Sequence, residues 1–175
     1  MTAKHILFSR EKIRARVREL GREITKTYRG RPLVLIGVLN GAFIFLADLV
    51  REIDLDLEID FIRVASYGDA TTTSGTIRLT KPPEIDLSGK DVLLVEDIVD
   101  TGTTLAWLHQ YFAEHHAGSV KICALINKLE RRETAVVVDY SGFQVEKGFL
   151  IGYGLDYAER FRNLPAIYSV SEIHD

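Results

Sequence analysis

LLVEDIVDTGTTL, residues Leu93 to Leu105, runs an apolar stretch straight into three carboxylates and then into threonines. Leu93, Leu94, Val95 and Ile98 surround the adjacent pair Glu96 and Asp97. Asp100 follows, and then Thr101-Gly102-Thr103-Thr104. The continuous apolar core of DVLLVE predicts a strand buried on both faces. Thr103 to Glu114 suits a helix, so the acidic and hydroxyl residues fall where a strand ends and a helix begins. In an open parallel sheet, ligands bind beyond the carboxyl ends of the strands. Free N–H groups and the dipole of a helix N-terminus favour an anion there. Gly102 permits close backbone approach, and Thr101, Thr103 and Thr104 add hydroxyl donors. The stretch thus offers a carboxylate pair suited to hydroxyl groups or a divalent metal, beside a nest for phosphate. A sugar phosphate needs both. At most one of the adjacent carboxylates can cap the helix, so the other has to be solvated or used.

The rest of the chain supplies the frame for such a strand end. PLVLIGVL (Pro32 to Leu39) reads as a second buried strand ending at Asn40-Gly41, and AFIFLADLVREI as the helix after it. LEIDFIRVAS alternates and is rich in branched and aromatic residues, which predicts a third strand. SVKICALI predicts a fourth. Ile13, Val17, Leu20 and Ile24 recur at helical spacing, with Ser9 placed to cap that helix. Tyr67 to Thr76, YGDATTTSGT, is a polar loop with little to bury, and IRLT is its returning strand. Alternating strands and helices through the middle of the chain indicate right-handed parallel βαβ units. In the C-terminal third, VVVDY, FLIGY and AIYSV are short strands with no long helix between them. The expected class is α/β: a mostly parallel central sheet flanked by helices, with a small flap or hood from the terminal segments. No linker or repeat interrupts residues 1–175, so one domain is expected.

Composition sets limits. Hydrophobic residues make up 46% and charged residues 27% of 175, enough for a substantial core. The net charge of -3 gives no global case for nucleic acid. The single cysteine, Cys123, forms no internal disulfide and sits in an apolar run as a small buried hydrophobe. The N-terminal MTAKHILFSREK has too short an apolar stretch for a signal peptide. No run approaches the ~18 apolar residues of a membrane span. A cytoplasmic protein without membrane or nucleic-acid partners is the expectation.

VEDIVDTGTT resembles the phosphoribosyl pyrophosphate signature of the type I phosphoribosyltransferases: apolar strand, two acids, two apolar residues, then D-T-G-x-T. VLNGAFIF, ASYGDATTTSGTIRL, NKLERR and FLIGYGLDYAERFRNLP follow the order of that family's hypoxanthine-guanine branch, in its compact bacterial form. The resemblance runs from Ile6 to Val170. It implies displacement of pyrophosphate from C1 of phosphoribosyl pyrophosphate by a purine nitrogen, with Mg²⁺ present. The products it implies are IMP or GMP, in purine salvage. It also implies a homodimer or homotetramer, for which the helix from Ala42 to Val50, with Phe43 and Phe45, is a candidate interface.

Residue by residue, the resemblance implies that Glu96 and Asp97 hold the ribose hydroxyls and, with Asp156, help organise Mg²⁺. Asp100 matches the general base for the purine N7 proton. Thr101, Gly102, Thr103 and Thr104 would wrap the 5-phosphate. Asn40 and Gly41 match a loop that meets pyrophosphate through backbone N–H groups, often across a cis peptide. Arg162 matches an arginine for the same group, and Ser66 and Tyr67 open the lid. Lys128 matches the donor to the purine 6-oxo group, Phe149 the stacking aromatic, and Leu150 and Asp156 the edge contacts. Many relatives carry a basic residue where this chain has Asn40. A phosphoribosyltransferase for another base such as xanthine, or a non-catalytic nucleotide-binding regulator, would share parts of this pattern. The complete Glu96, Asp97 and Asp100 set favours the enzyme, and a donor-only Lys128 has little use for adenine.

Overall fold

The apolar runs become strands and the residues with helical spacing become helices, alternating through the middle of the chain except where β3, β4 and β5 follow one another without a helix. The computed structural model describes residues 4–67 and 76–170. In order the elements are β1 (Lys4–Phe8), α1 (Arg10–Tyr28), β2 (Leu33–Leu39), α2 (Phe43–Val50), β3 (Leu57–Tyr67) and β4 (Thr76–Lys81). Then come β5 (Asp91–Val99), α3 (Thr103–Glu114), β6 (Ser119–Lys128), β7 (Tyr140–Val145), β8 (Phe149–Ile151) and β9 (Ile167–Val170). Six strands form the main sheet in the order β4-β3-β2-β5-β6-β7. All its pairings are parallel except that of the edge strand β4 with β3. A second, antiparallel sheet, β1-β9-β8, forms the hood.

Continuous apolar runs are needed because both faces of the main sheet are covered. Leu33 and Leu35 of β2, Leu93 and Val95 of β5, and Cys123 and Leu125 of β6 point into a core with α1, α2 and the hood. Their neighbours Val34, Ile36, Val92, Leu94, Ile122 and Ala124 point the other way, into a core closed by Leu105, Leu108 and Phe112 of α3. A fully buried side chain of this kind contributes about 1.5–3 kcal/mol. Ser9 caps α1 as its position predicts, accepting from the Lys12 N–H at 3.3 Å.

Some expectations shift. β5 continues three residues past DVLLVE, pairing Glu96 with Ala124, Ile98 with Ile126 and Val99 with Asn127. The acidic pair therefore lies inside the last turns of the strand. Of VVVDY only Tyr140 is strand. Val136 and Val138 pack on the α3-side core instead, and Asp139 Oδ2 accepts from the Ile122 N–H at 2.9 Å. β1 has no counterpart in the sequence reading. Phe45 is fully buried and belongs to the core, whereas Phe43 on the same helix is 45% exposed. The Tyr67 to Thr76 loop lies outside the described residues except for its two strand ends. Among the described residues, no helix is long and apolar enough to cross a membrane.

One buried acid anchors the edge of the sheet. Asp60 on β3 accepts from the Phe61 N–H at 2.7 Å, the Glu84 N–H at 2.6 Å and the Ile85 N–H at 3.3 Å, with Lys81 Nζ at 3.4 Å.

Candidate active site

The carboxyl ends of β2, β5 and β6 open on one cavity of about 490 Å³, whose far wall is the hood. The sequence expectations converge there. Asn40 and Gly41 follow β2. Glu96, Asp97, Asp100, Thr101, Gly102 and Thr104 come from the end of β5 and the start of α3. Lys128 ends β6, and Phe149, Leu150, Asp156 and Arg162 come from the hood. Thr103 does not line the cavity; its hydroxyl lies 3.0 Å from the Thr134 hydroxyl. Ser66 and Tyr67 end β3, paired with Ile77 and Thr76.

Neither member of the acidic pair caps α3. Glu96 Oε1 accepts from the Asp97 N–H at 3.0 Å, and Asp97 Oδ1 accepts from the Ile98 N–H at 2.8 Å. Burial pushes the Glu96 carboxyl well above its ordinary pKa, and the neighbouring Asp97 charge adds to this. Burial raises Asp97 as well, against the pull of hydrogen bonds from Glu96 and the Ile98 N–H and of the Arg162 charge. Two crowded, desolvated carboxyls are a poor home for two negative charges alone and a good one once a cation or hydroxyl donors arrive. Gly41 presses against them: a Cβ there would sit 1.9 Å from Asp97 Oδ2. The preceding Leu39–Asn40 peptide is cis. The Asn40 side chain is not left alone, since its Oδ1 accepts from Arg63 Nη2 at 2.6 Å.

The threonine loop is built to expose N–H groups. Gly102 takes φ +84, a conformation that favours glycine, and as N-cap it has no side chain to offer, while Thr101 Oγ1 accepts from the Thr103 N–H at 3.4 Å. Thr101 is tied down by its carbonyl, which accepts from the N–H groups of Glu133 and Thr134, each at 3.0 Å. Free N–H groups at a helix start of this kind favour an anion.

At the end of β6, Lys128 is only 7% exposed. Its Nζ lies 3.2 Å from Glu130 Oε2 and 3.9 Å from Asp100 Oδ1. Asp100 Oδ2 meets Arg131 at 3.4 Å, while its buried Oδ1 has no hydrogen-bond partner among the described residues. In the hood, Phe149 is 39% exposed and stands at 89° to the Tyr157 ring. Leu150 is buried. Arg162 donates to the Gly154 carbonyl at 2.7 Å and pairs with Asp156 Oδ1 at 3.0 Å and Glu159 Oε2 at 3.0 Å. Asp156 Oδ2 also accepts from the Glu159 N–H at 2.9 Å.

Three arginines around the cavity, Arg63, Arg131 and Arg132, escaped the sequence reading. The doublet in NKLERR was visible, but nothing in its spacing shows which carbonyls or carboxylates those side chains reach.

Residues 6–158 match the phosphoribosyl transferase domain family. The chain is 45% identical over 162 residues to a hypoxanthine-guanine phosphoribosyltransferase of Bacillus subtilis, covering 93% of this chain and 90% of that one. It is 42% identical over 167 residues to the hypoxanthine phosphoribosyltransferase of Escherichia coli, covering 94% of each. A crystal structure of a hypoxanthine phosphoribosyltransferase from Staphylococcus aureus superposes with a TM-score of 0.92 at 38% identity, over 95% of this chain and 91% of that one. A hypoxanthine-guanine phosphoribosyltransferase from Bacillus anthracis superposes with a TM-score of 0.89 at 43% identity, over 95% and 98%. At this identity and coverage, the chain belongs to the phosphoribosyltransferase family.

Proposed function

We propose that the protein transfers the 5-phosphoribosyl group from phosphoribosyl pyrophosphate to N9 of hypoxanthine, and of guanine, yielding IMP or GMP and pyrophosphate for purine salvage. The observation that carries this reading is the pairing of Lys128 and Asp100 on one wall of the cavity. A buried ammonium, with donors only, stands 3.9 Å from a buried carboxylate oxygen that has no hydrogen-bond partner among the described residues. The first suits a 6-oxo group and the second suits the proton of the neighbouring ring nitrogen.

The other residues take roles their chemistry supports. The start of α3, with Thr101, Gly102 and Thr104, receives the 5-phosphate. Glu96 and Asp97 accept from the ribose hydroxyls and stabilise the developing ribosyl cation by their charge. Asn40 and Gly41, with Ser66, Tyr67 and Arg162, hold the departing pyrophosphate. Phe149 stacks on the base, and Leu150 and Asp156 meet its edge.

Mg²⁺ would neutralise the pyrophosphate, held by Glu96 and Asp97 and, once released from Arg162, by Asp156. The donor set fits that ion. Among the described residues no cluster of three or more ligating side chains stands ready to hold a metal. Mg²⁺ rarely asks for one, since it keeps waters and takes substrate phosphates as ligands. The raised carboxyls of Glu96 and Asp97 are the kind of pair a divalent cation relieves. The reading carries with it a cytoplasmic homodimer or homotetramer; Phe43 on α2 and Ile59 on β3, each 45% exposed, support an apolar contact between copies.

The test is pyrophosphate release on mixing the protein with phosphoribosyl pyrophosphate, Mg²⁺ and each purine in turn. Release is expected with hypoxanthine and guanine and not with adenine. No release with any 6-oxopurine overturns the proposal.

A further inference from the structure

The ladder between β5 and β6 ends at Val99 and Asn127. The next residues are Asp100 and Lys128, and no strand bond fixes their spacing. Arg132 occupies that gap. Its Nε donates to the Asp100 carbonyl at 3.1 Å, and its Nη2 donates to the carbonyls of Lys128 at 2.9 Å and Val99 at 3.3 Å. Nη2 also donates to Asn127 Oδ1 at 2.7 Å. All four acceptors belong to the two strand ends, and all are reached from two adjacent nitrogens, Nε and Nη2, of a rigid planar group. Among the described residues Arg132 makes no ion pair. Its charge is spent on backbone carbonyls, a use that fixes geometry rather than neutralising an acid.

We infer that Arg132 is a positioning residue: by holding the Asp100 and Lys128 carbonyls on one guanidinium group, it sets the spacing at which their side chains meet N7 and O6 of the purine. The inference rests on the activity proposed above. O6 and N7 are adjacent on one edge of a rigid ring. The ring cannot flex to absorb an error, so the protein has to supply the separation. Lys128 Nζ and Asp100 Oδ1 face each other at 3.9 Å, and Arg132 touches neither group. The phosphate side is held by different bonds, the backbone N–H groups of Glu133 and Thr134 on the Thr101 carbonyl. Those bonds do not use the Arg132 side chain. Arg132 Cδ packs beside Gly102, and lysine keeps that methylene, so exchanging the guanidinium in Arg132→Lys loosens base recognition and proton removal more than it disturbs the threonine loop.

The experiment compares wild-type protein with Arg132→Lys, which keeps charge and stem but loses the fork. The readouts are kcat, KM for each substrate, and the thermal midpoint. The expected result is a fall in kcat/KM for hypoxanthine on the order of 10²-fold, the usual consequence of a displacement near 1 Å. KM for phosphoribosyl pyrophosphate should stay within about threefold. In Arg132→Ala, added guanidinium ion should restore part of the lost turnover. A value of kcat/KM for hypoxanthine within about threefold of wild type in Arg132→Lys overturns the inference. So does a loss spread equally over both substrates with a matching drop in thermal midpoint, which marks a merely structural residue. Failure of both variants to fold has the same meaning. Wild-type turnover is the control: its absence sinks the proposed activity, whereas a working enzyme with an indifferent variant sinks only the role of Arg132.

Discussion

Gly41→Ala adds one methyl group at the point where the loop after β2 presses on the acidic pair. The backbone at Gly41 lies outside the left-handed region, so alanine itself is tolerated there. The cost falls on Asp97. The new Cβ would stand 1.9 Å from Oδ2 and 2.5 Å from Cγ. Ordinary contact begins near 3.4 Å, so the carboxylate has to retreat by roughly 1.5 Å. Asp97 has little room to do so: it is 8% exposed, and its other oxygen is held by the Ile98 N–H at 2.8 Å. A misplacement of about 1 Å at a reacting centre can cost 10²-fold, or about 2.7 kcal/mol of transition-state stabilisation. Overpacking by one methyl group takes about 1–3 kcal/mol from stability, which lowers the thermal midpoint by several degrees in a chain of this length. Steady-state kinetics with phosphoribosyl pyrophosphate varied, alongside a thermal melt, separate the two effects. The expected outcome is a folded protein with kcat/KM reduced ~10²-fold. A folded Gly41→Ala enzyme within about threefold of wild type would show that the Asp97 position does not govern turnover.

Asp100→Asn preserves shape but cannot accept the proton, so nucleotide formation should slow by ~10²-fold or more with substrate binding retained. Unchanged turnover, with product release shown not to limit the rate, rejects Asp100 as the base. Lys128→Ala should collapse the ratio of specificity constants for hypoxanthine over adenine, by up to ~10⁴-fold, because the donor that rejects an amino group is gone. An unaltered ratio assigns the selection to other groups. Asp60→Ala removes the acceptor for three N–H groups and should lower stability at neutral pH by about 2–3 kcal/mol, read by urea unfolding. Burial pushes the Asp60 carboxyl up, but the N–H groups of Glu84, Phe61 and Ile85 and the Lys81 charge bring it below its ordinary value. The unfolded chain therefore takes up the proton first as pH falls. The gap between wild type and Asp60→Ala should be full above the ordinary carboxyl pKa and should close as pH drops through the lowered one. A gap that persists in strong acid contradicts the assignment.

The strands that bury both faces were legible because a continuous apolar run is needed to occupy β2 and the middles of β5 and β6. The α3 boundaries were legible from the switch of pattern at Thr103 and Glu114. β1 was not, because KHILF is exposed at every position but Phe8 and owes its place to β9 at the far end of the chain. The start of β7 was misplaced because Val136 and Val138 are apolar for a different reason, contact with the α3-side core. At the site, the residue types in VEDIVDTGTT declare their chemistry without help. Lys128, Phe149, Leu150, Asp156 and Arg162 do not, because read locally each is an ordinary strand-end, core or surface residue. Only the family pattern singled them out. Arg63, Arg131 and Arg132 escaped even that, since an arginine's partners are set by which loops the fold brings within reach of its long stem.

The hood joins the two ends of the chain, with Lys4 paired to Val170 and Ile6 to Tyr168. On a ribosome adding about 5–20 residues per second, β1 waits on the order of ten seconds for β9 to emerge. The strands from β2 to β6, with the acidic pair and the threonine loop, are synthesised in that interval and need nothing from the hood to pair. The threonine loop is thus synthesised before the wall bearing Phe149 and Arg162. The strand that completes the hood is the last of the described elements to be delivered.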